Sequence, residues 1–177
     1  RGMEEGLNAV IVNPGVILSP VFWSQSSARL FEQCYKGNKF YTTGLAAYIC
    51  ATDVSKTMVS LIEQQQYGNR YILIENNYSF KEILSNIQAN FNLKVPTINV
   101  SSKMLKLAQF IEFLFTLFSS KERKLTRALL NSAHNTQTYS NLKVKRTLGF
   151  EFKPIHACIE EICRYYRLQK TNKHTSL

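Results

Sequence analysis

Nowhere in these 177 residues is there a glycine-rich loop of the kind that cradles phosphate. The glycines stand at positions 2, 6, 15, 37, 44, 68 and 149, which gives neither G-x-G-x-x-G nor a P-loop. A Gly-x-Ser-x-Gly elbow is also missing. The four cysteines (Cys34, Cys50, Cys158, Cys163) form no Cys-x-x-Cys, and the three histidines (His134, His156, His174) form no pair at helical ligand spacing. That argues against a disulfide framework and against a structural zinc, and points to reduced thiols and a cytoplasmic setting. Long apolar runs are scarce as well. Met104 to Phe118 is interrupted by Lys106, Gln109 and Glu112, and a membrane span needs roughly 20 mostly apolar residues. The paired carboxylates, Glu4-Glu5 and Glu160-Glu161, fall on expected helices, where neighbours point different ways and read as solvent-facing.

What is present is enough apolar material for a core. Hydrophobic residues make up 45% and charged ones 19%, a globular balance at the size of one domain, or one domain and part of a neighbour. The net charge of +10 invites a nucleic-acid reading, but it is uneven. Residues 1–93 carry seven basic and seven acidic side chains, whereas residues 94–177 carry fifteen and five. Two clusters (Lys121, Arg123, Lys124 and Arg127; Lys143, Lys145 and Arg146) read first as solvated helix faces and second as phosphate contacts. The chain begins at Arg1 without the charged-then-apolar layout of a signal peptide, so a fragment or processed product is expected.

Strand and helix patterns alternate through the first hundred residues. Residues 8–13 are a β-branched run without alternation, ended by Pro14-Gly15, and read as a strand buried on both faces. A helix is expected over 26–35, a strand over 48–51, and a helix from an N-cap at Asp53 with Val54, Met58, Leu61 and Ile62 on its stripe. A strand follows at 71–74. Ser79 with Glu82 then makes a capping box for a helix carrying Phe80, Ile83, Leu84, Ile87 and Phe91. After a brief strand at 96–100 the pattern is helical: 102–119, with Phe110, Phe113, Phe115 and Phe118, then 121–133, 141–148 up to Gly149, and 154–168. The fold class is α/β with short parallel strands, followed by a helical lobe.

Four ordered motifs resemble the extended short-chain dehydrogenases/reductases of the NAD-dependent epimerase/dehydratase type, closest in flavour to dihydroflavonol reductases. Asn8-Ala-Val-Ile-Val-Asn-Pro-Gly-Val-Ile-Leu-Ser-Pro20 is similar to the family's late strand and following loop. Tyr48-Ile-Cys-Ala-Thr-Asp-Val-Ser looks like the start of its next helix, and Gly68-Asn-Arg-Tyr-Ile-Leu like a later strand. Thr147-Leu-Gly-Phe-Glu-Phe-Lys-Pro resembles its closing element. The resemblance implies the C-terminal part of a Rossmann-type enzyme: residues 1–20 as the last Rossmann strand and nicotinamide-side loop, 21–168 as the substrate-binding α/β and helical lobe, and 169–177 as a frayed tail. The family's cofactor glycine loop and catalytic Tyr-x-x-x-Lys would lie upstream. Tyr35/Lys39, Tyr139/Lys143 and Tyr166/Lys170 match the string but sit in the wrong context, so no catalytic residue and no metal ligand is expected here.

By the same resemblance Asn13, Pro14, Gly15 and Val16 would line NAD or NADP. Gly15 would let the backbone approach the ring, and Ile17, Leu18, Ser19, Trp23 and Ser24 would face the substrate. Ser19 stands where the family usually has glycine. NAD or NADP would belong to the parent protein, with none bound tightly by this chain alone. The substrate would be a small-molecule carbonyl for a hydride-transferring reductase, the reading preferred for Asn before Pro-Gly, or a nucleotide sugar for an epimerase or dehydratase. No nucleic acid or membrane is expected as partner, and a homo-oligomer through 102–119 stays open. The reading from another class is a non-enzymatic basic module for nucleic acid or an acidic partner.

Overall fold

The β-branched run ending in Pro-Gly builds two strands with different partners. In the computed structural model, which describes residues 6–20, 23, 27–101, 103–104 and 135–175, strand β1 (Ile11–Pro14) pairs in parallel with β5 (Arg70–Leu73), Pro14 opposite Leu73. One residue later β2 (Val16–Leu18) pairs in parallel with β4 (Leu45–Cys50), Val16 opposite Tyr48. β4 pairs antiparallel with β6 (Asn76–Ser79), and β3 (Phe40–Tyr41) pairs in parallel with β7 (Ile98–Asn99). Helices α1 (Ala28–Tyr35), α2 (Ala51–Glu63) and α3 (Phe80–Asn90) lie between strands, and α4 (Leu142–Leu148) and α5 (Ile155–Thr175) follow. This is the expected α/β class.

Gly15 is the joint between the two ladders. Its N–H donates to the Leu73 carbonyl at 3.0 Å, still on the β5 side, while Val16 has already crossed to β4. A Cβ on Gly15 would stand 2.5 Å from the Ala47 carbonyl oxygen, 2.9 Å from its carbon and 3.0 Å from Ile74 Cγ2. Backbone cannot yield as a side-chain tip does, so the position takes glycine for space. The opposite strand makes the matching change between β5 and β6, where the Glu75 N–H donates to the Tyr48 carbonyl at 2.7 Å.

β4 divides the hydrophobic interior. Tyr48 and Cys50 face a core built with Phe31, Ile87, Ile159 and Tyr166, whereas Ile49 faces a second core with Leu61, Tyr71, Leu73 and Val144. A strand covered on both sides has no polar face, which explains the unbroken Leu-Ala-Ala-Tyr-Ile-Cys run. β1 departs from that expectation. Val10 and Val12 pack against the second core, whereas Ile11 and Asn13, on the opposite face, are exposed, so β1 is covered on one face only among the described residues.

The helices hold two confirmations and several corrections. Ser79 Oγ accepts the Glu82 N–H at 3.1 Å and the Ser79 N–H donates to Glu82 Oε2 at 2.7 Å, the capping box in full. α2, by contrast, is capped by Cys50, not Asp53. Asp53 is buried in the first turn, where its carboxylate accepts the Lys153 N–H at 2.7 Å; a buried carboxylate needs a donor, and this one comes from far along the chain. Met58 and Ile62 turn outward, leaving Val54, Thr57 and Leu61 as the buried stripe of α2. α4 ends as expected at Gly149, at φ +67°. α5 runs to Thr175 instead of stopping at 168, so most of the supposed tail is helical. Gln169 donates to the Tyr165 hydroxyl, Thr171 to the Arg167 carbonyl, and Trp23 Nε1 donates to Gln169 Oε1 at 2.6 Å. The expected helices 102–119 and 121–133, with their phenylalanines and the cluster Lys121, Arg123, Lys124 and Arg127, lie outside the described residues except for Lys103 and Met104, which are helical.

Two substitutions test these supports. Gly15→Ala destabilises the fold by about 1–3 kcal/mol, the usual cost of overpacking, read as a fall in the urea midpoint. Ser79→Ala costs about 1 kcal/mol at neutral pH. Hydrogen bonds from Ser79 hold Glu82 below its ordinary carboxylate value. Their contribution is therefore present above that ordinary value and is lost as pH falls through the lowered one. The stability gap between wild type and Ser79→Ala should narrow in acid.

Candidate functional site

Where the chain changes partner at Gly15, the two ladders part and leave a crevice of about 710 Å³. Its position, at the carboxyl end of β1 where parallel strands change neighbours, is the kind of place in which α/β sheets bind ligands. One wall is Asn13, Pro14, Gly15 and Val16, all four residues expected to line a cofactor. Leu45, Ala46 and Ala47 at the start of β4 face them. Ile72, Ile74 and Phe80 supply apolar surface, and Asn135, Gln137 and Tyr139 close the side.

The closing segment, 135–141, has no regular structure and is held by several hydrogen bonds. The Leu45 N–H donates to the Asn135 carbonyl at 2.6 Å. The Asn77 carboxamide donates to the Tyr139 carbonyl at 2.8 Å and accepts the Tyr139 N–H at 2.9 Å. Asn141 Nδ2 reaches the carbonyls of Ile74 and Glu75, each at 2.9 Å. Asn135 and Gln137 were not singled out from the sequence because an extended, aperiodic segment carries no signal, and Tyr139 was noted only in the Tyr-x-x-x-Lys string. The one usable hint was Asn141, in the Tyr-Ser-Asn stretch that precedes α4.

The chemistry of the crevice is uncharged. Among the described lining residues there is no Lys, Arg, Asp, Glu or His. Three carboxamides (Asn13, Asn135, Gln137) and the Tyr139 phenol stand against aliphatic and aromatic surface. Such a set can hold an amide or a carbonyl oxygen over a flat apolar ring, and among the described lining residues it offers no cation to a diphosphate. Among the described residues no group of three His, Cys, Asp or Glu could hold a metal.

The residues expected to face substrate are placed elsewhere. Leu18 is fully buried in the first core, and Ile17 packs against the second while its carbonyl accepts the Ser27 hydroxyl. Trp23 packs edge-on against Tyr166 at 4.7 Å and against Phe31 at 6.5 Å. The reason is that β2 continues the sheet after Gly15, so alternate side chains are committed to the two cores rather than to the crevice. Ser19 is half-buried and is not among the lining residues. Ser24 lies outside the described residues.

None of the Tyr-x-x-x-Lys strings makes a catalytic pair. Tyr35 stacks on Phe91 and Tyr166, with Gly37 turning the chain before Lys39. Tyr166 is buried in the core. Tyr139 does line the crevice, but Lys143 Nζ is held at 3.0 Å by Asn69 Oδ1 and at 3.1 Å by the Arg70 carbonyl, above the Tyr71 ring.

No protein-family model matches the chain, and no curated protein matches it in sequence. Solved structures match it in fold. The protein gox2253 superposes with a TM-score of 0.74 at 20% identity, over 94% of this chain and 51% of that one. A nucleoside-diphosphate-sugar epimerase from Pseudomonas aeruginosa gives 0.71 at 19%, over 94% and 50%. The dTDP-glucose 4,6-dehydratase of Bacillus anthracis, solved in complex with NAD, gives 0.61 at 9%, over 92% and 45%. The chain thus spans about half the length of the structures it resembles, and has the fold of the C-terminal part of Rossmann-type epimerase and short-chain dehydrogenase structures.

The strap over 135–141 can be tested directly. Asn77→Ala removes both bonds to Tyr139, and amide hydrogen exchange at Tyr139 should rise at least about tenfold, as expected for one lost bond of about 1.4 kcal/mol. The Glu82-capped end of α3 should keep its protection.

Proposed function

We propose that this chain is the substrate-side part of an NAD(P)-dependent enzyme of the epimerase/dehydratase type, and that the crevice at Gly15 receives the reacting end of the substrate beside the nicotinamide. The observation that carries the reading is the convergence of Asn13, Pro14, Gly15 and Val16 on one crevice of ligand size, in a fold like half of such enzymes. The residues present fit the nicotinamide end of a dinucleotide. Pro14, Val16 and Ile74 offer a flat apolar wall, and the carboxamides of Asn13, Asn135 and Gln137 offer both donor and acceptor to a ring amide. They do not fit the pyrophosphate, for which the described lining has no cation. When bound, the nicotinamide supplies or takes a hydride.

This chain's own work in that scheme is orientation and exclusion of water. Ile72, Ile74 and Phe80 would shield the reacting carbon, and Tyr139 and Gln137 would hold an oxygen of the substrate by hydrogen bonds. Gly15 lines the crevice, and its missing side chain also makes room for the Ala47 carbonyl. The uncharged lining favours a neutral carbonyl or alcohol substrate, in line with a reductase. The second reading, a nucleotide-sugar epimerase or dehydratase, rests on the fold neighbours, and would need cations from beyond the described lining, such as the cluster Lys121, Arg123, Lys124 and Arg127.

Titrating the chain with NADPH and following its fluorescence should give binding weaker than micromolar, since the described lining offers the phosphates no loop and no charge. In amide NMR spectra, millimolar NADPH should shift Asn13, Gly15, Val16, Ala46 and Ala47. Micromolar binding would overturn the division of labour, and shifts confined to other residues would overturn the site. Adding a UDP-sugar separates the two substrate readings: an epimerase predicts further shifts at Tyr139 and Ala46, a reductase of neutral carbonyls predicts none.

A further inference from the structure

A phenol taken out of water ordinarily finds an acceptor for its hydroxyl, and Tyr71 and Tyr78 do. Tyr71 donates to Gln66 Oε1 at 3.1 Å, and Tyr78 to Glu75 Oε2 at 2.8 Å. Tyr48 does not. It is fully buried in β4, and its hydroxyl has no hydrogen-bond partner among the described residues. Burying such a group alone costs stability, because the bond to water is given up and nothing replaces it. Burial also pushes the phenol above its ordinary value, so at neutral pH it stays protonated and can donate. Among the described residues the other buried side-chain atom without a partner is Gln88 Oε1. Gln88 lines neither this cavity nor the crevice, and its Nε2 already donates to the Asn38 carbonyl at 2.8 Å.

Tyr48 borders a second cavity, of about 420 Å³, between α1, α3 and the chain around β3. Exposure falls from its rim to its floor. Phe40 is 51% exposed at the rim, whereas Ile83 and Leu84 of α3 are buried and Tyr48 is wholly so. The rim is built, not loose: Asn38 Nδ2 donates to the Phe40 carbonyl at 2.9 Å, and Asn38 Oδ1 accepts the Phe40 N–H at 3.1 Å. Leu30 of α1 and Val100 add apolar surface, and Phe80 is a wall of both this cavity and the crevice. No Lys, Arg, Asp, Glu or His stands among the described lining residues. A cavity of this size, apolar, uncharged and bordered by one unpartnered donor, has the make-up of a small-molecule site.

We propose that this second cavity binds a small, neutral, mainly apolar molecule whose carbonyl oxygen accepts the Tyr48 hydroxyl. The apolar body of the ligand lies against Leu30, Ile83 and Leu84, and its oxygen supplies the partner that the fold does not give Tyr48. A phenylalanine would fill the same space with no donor left over. The inference does not rest on the reading of the crevice.

Acetophenone has the required chemistry, isopropylbenzene has nearly its shape without the oxygen, and benzoate adds a charge. Acetophenone added to the full chain should shift the amide NMR signals of Leu84 and Val100, which line this cavity and not the crevice; benzoate should not. Tyr48→Phe should weaken acetophenone roughly five- to tenfold, the effect of one lost hydrogen bond, and leave isopropylbenzene unchanged. Without ligand, Tyr48→Phe should melt no lower than wild type, since it removes an unpaired group. The proposal is overturned if acetophenone leaves Leu84 and Val100 unmoved or shifts only Asn13 and Gly15, if benzoate binds as well, or if Tyr48→Phe binds acetophenone as tightly as wild type. It is also overturned if the unliganded variant melts lower, which would show the hydroxyl already partnered.

Discussion

The press of Gly15 against Ala47 is the contact from which the remaining geometry follows. It brings one continuous stretch of chain from the β5 ladder to the β4 ladder within a single residue, with Pro14 opposite Leu73 and Val16 opposite Tyr48. Once that register is set, the alternation of β4 is set too. Tyr48 and Cys50 turn to the core that α1, α3 and α5 cover, and Ile49 to the core that α2 and α4 cover. The same joint prevents the two ladders from closing against each other, so residues 13–16 and 45–47 stand as opposite walls of a crevice. Fold and site therefore have one cause, a side chain that is absent.

Apolar packing cannot hold the rim of such a crevice without filling it. The structure uses hydrogen bonds of long sequence reach instead. Asn77 fastens Tyr139 by two bonds, Asn141 caps the carbonyls of Ile74 and Glu75, and Asp53 holds the backbone of Lys153 at the approach to α5. Each such bond stabilises by only about 1 kcal/mol, but each joins segments far apart in sequence. Directional bonds fix an edge in place while leaving its apolar side free, which packed side chains do not.

Legibility in the sequence tracked the range of the interaction. The capping box at Ser79 and the stop at Gly149 are decided within a few residues and were read correctly. The strands expected at 48–51 and 71–74 were recognisable as compact apolar runs and overlap β4 and β5, although β4 begins three residues earlier than expected. Asp53 shows the limit: a carboxylate ahead of a helical stripe looks the same locally whether it caps its own helix or reaches Lys153. Gly15 was expected to admit a cofactor ring, whereas the approach of the Ala47 carbonyl, thirty-two positions away, left no local trace in the sequence. Leu18 lies in the first core and Trp23 packs against Tyr166, because nearness to a strand end in sequence does not say which face of the sheet a side chain takes. The turn of α5 past 168 is joined to Trp23 through Gln169, again a distant partner for a polar turn.

The charge of the chain makes the same point about direction. A surplus of ten positive charges suggests a surface that seeks anions. Yet described cations of the second half are turned to neighbours: Lys143 to Asn69 and the Arg70 carbonyl, Lys145 to Glu151, Lys153 to Glu161, and Arg167 to the Asn90 carbonyl over the Phe91 ring. None of them lines the crevice. Composition counts charges, but only packing aims them. At the joint made by Gly15 the packing aims carboxamides and a phenol, groups that can each donate or accept. An oxygen whose carbon changes between carbonyl and alcohol changes from acceptor to donor as well. A wall of carboxamides can follow that change without moving charge, which a wall of lysines cannot.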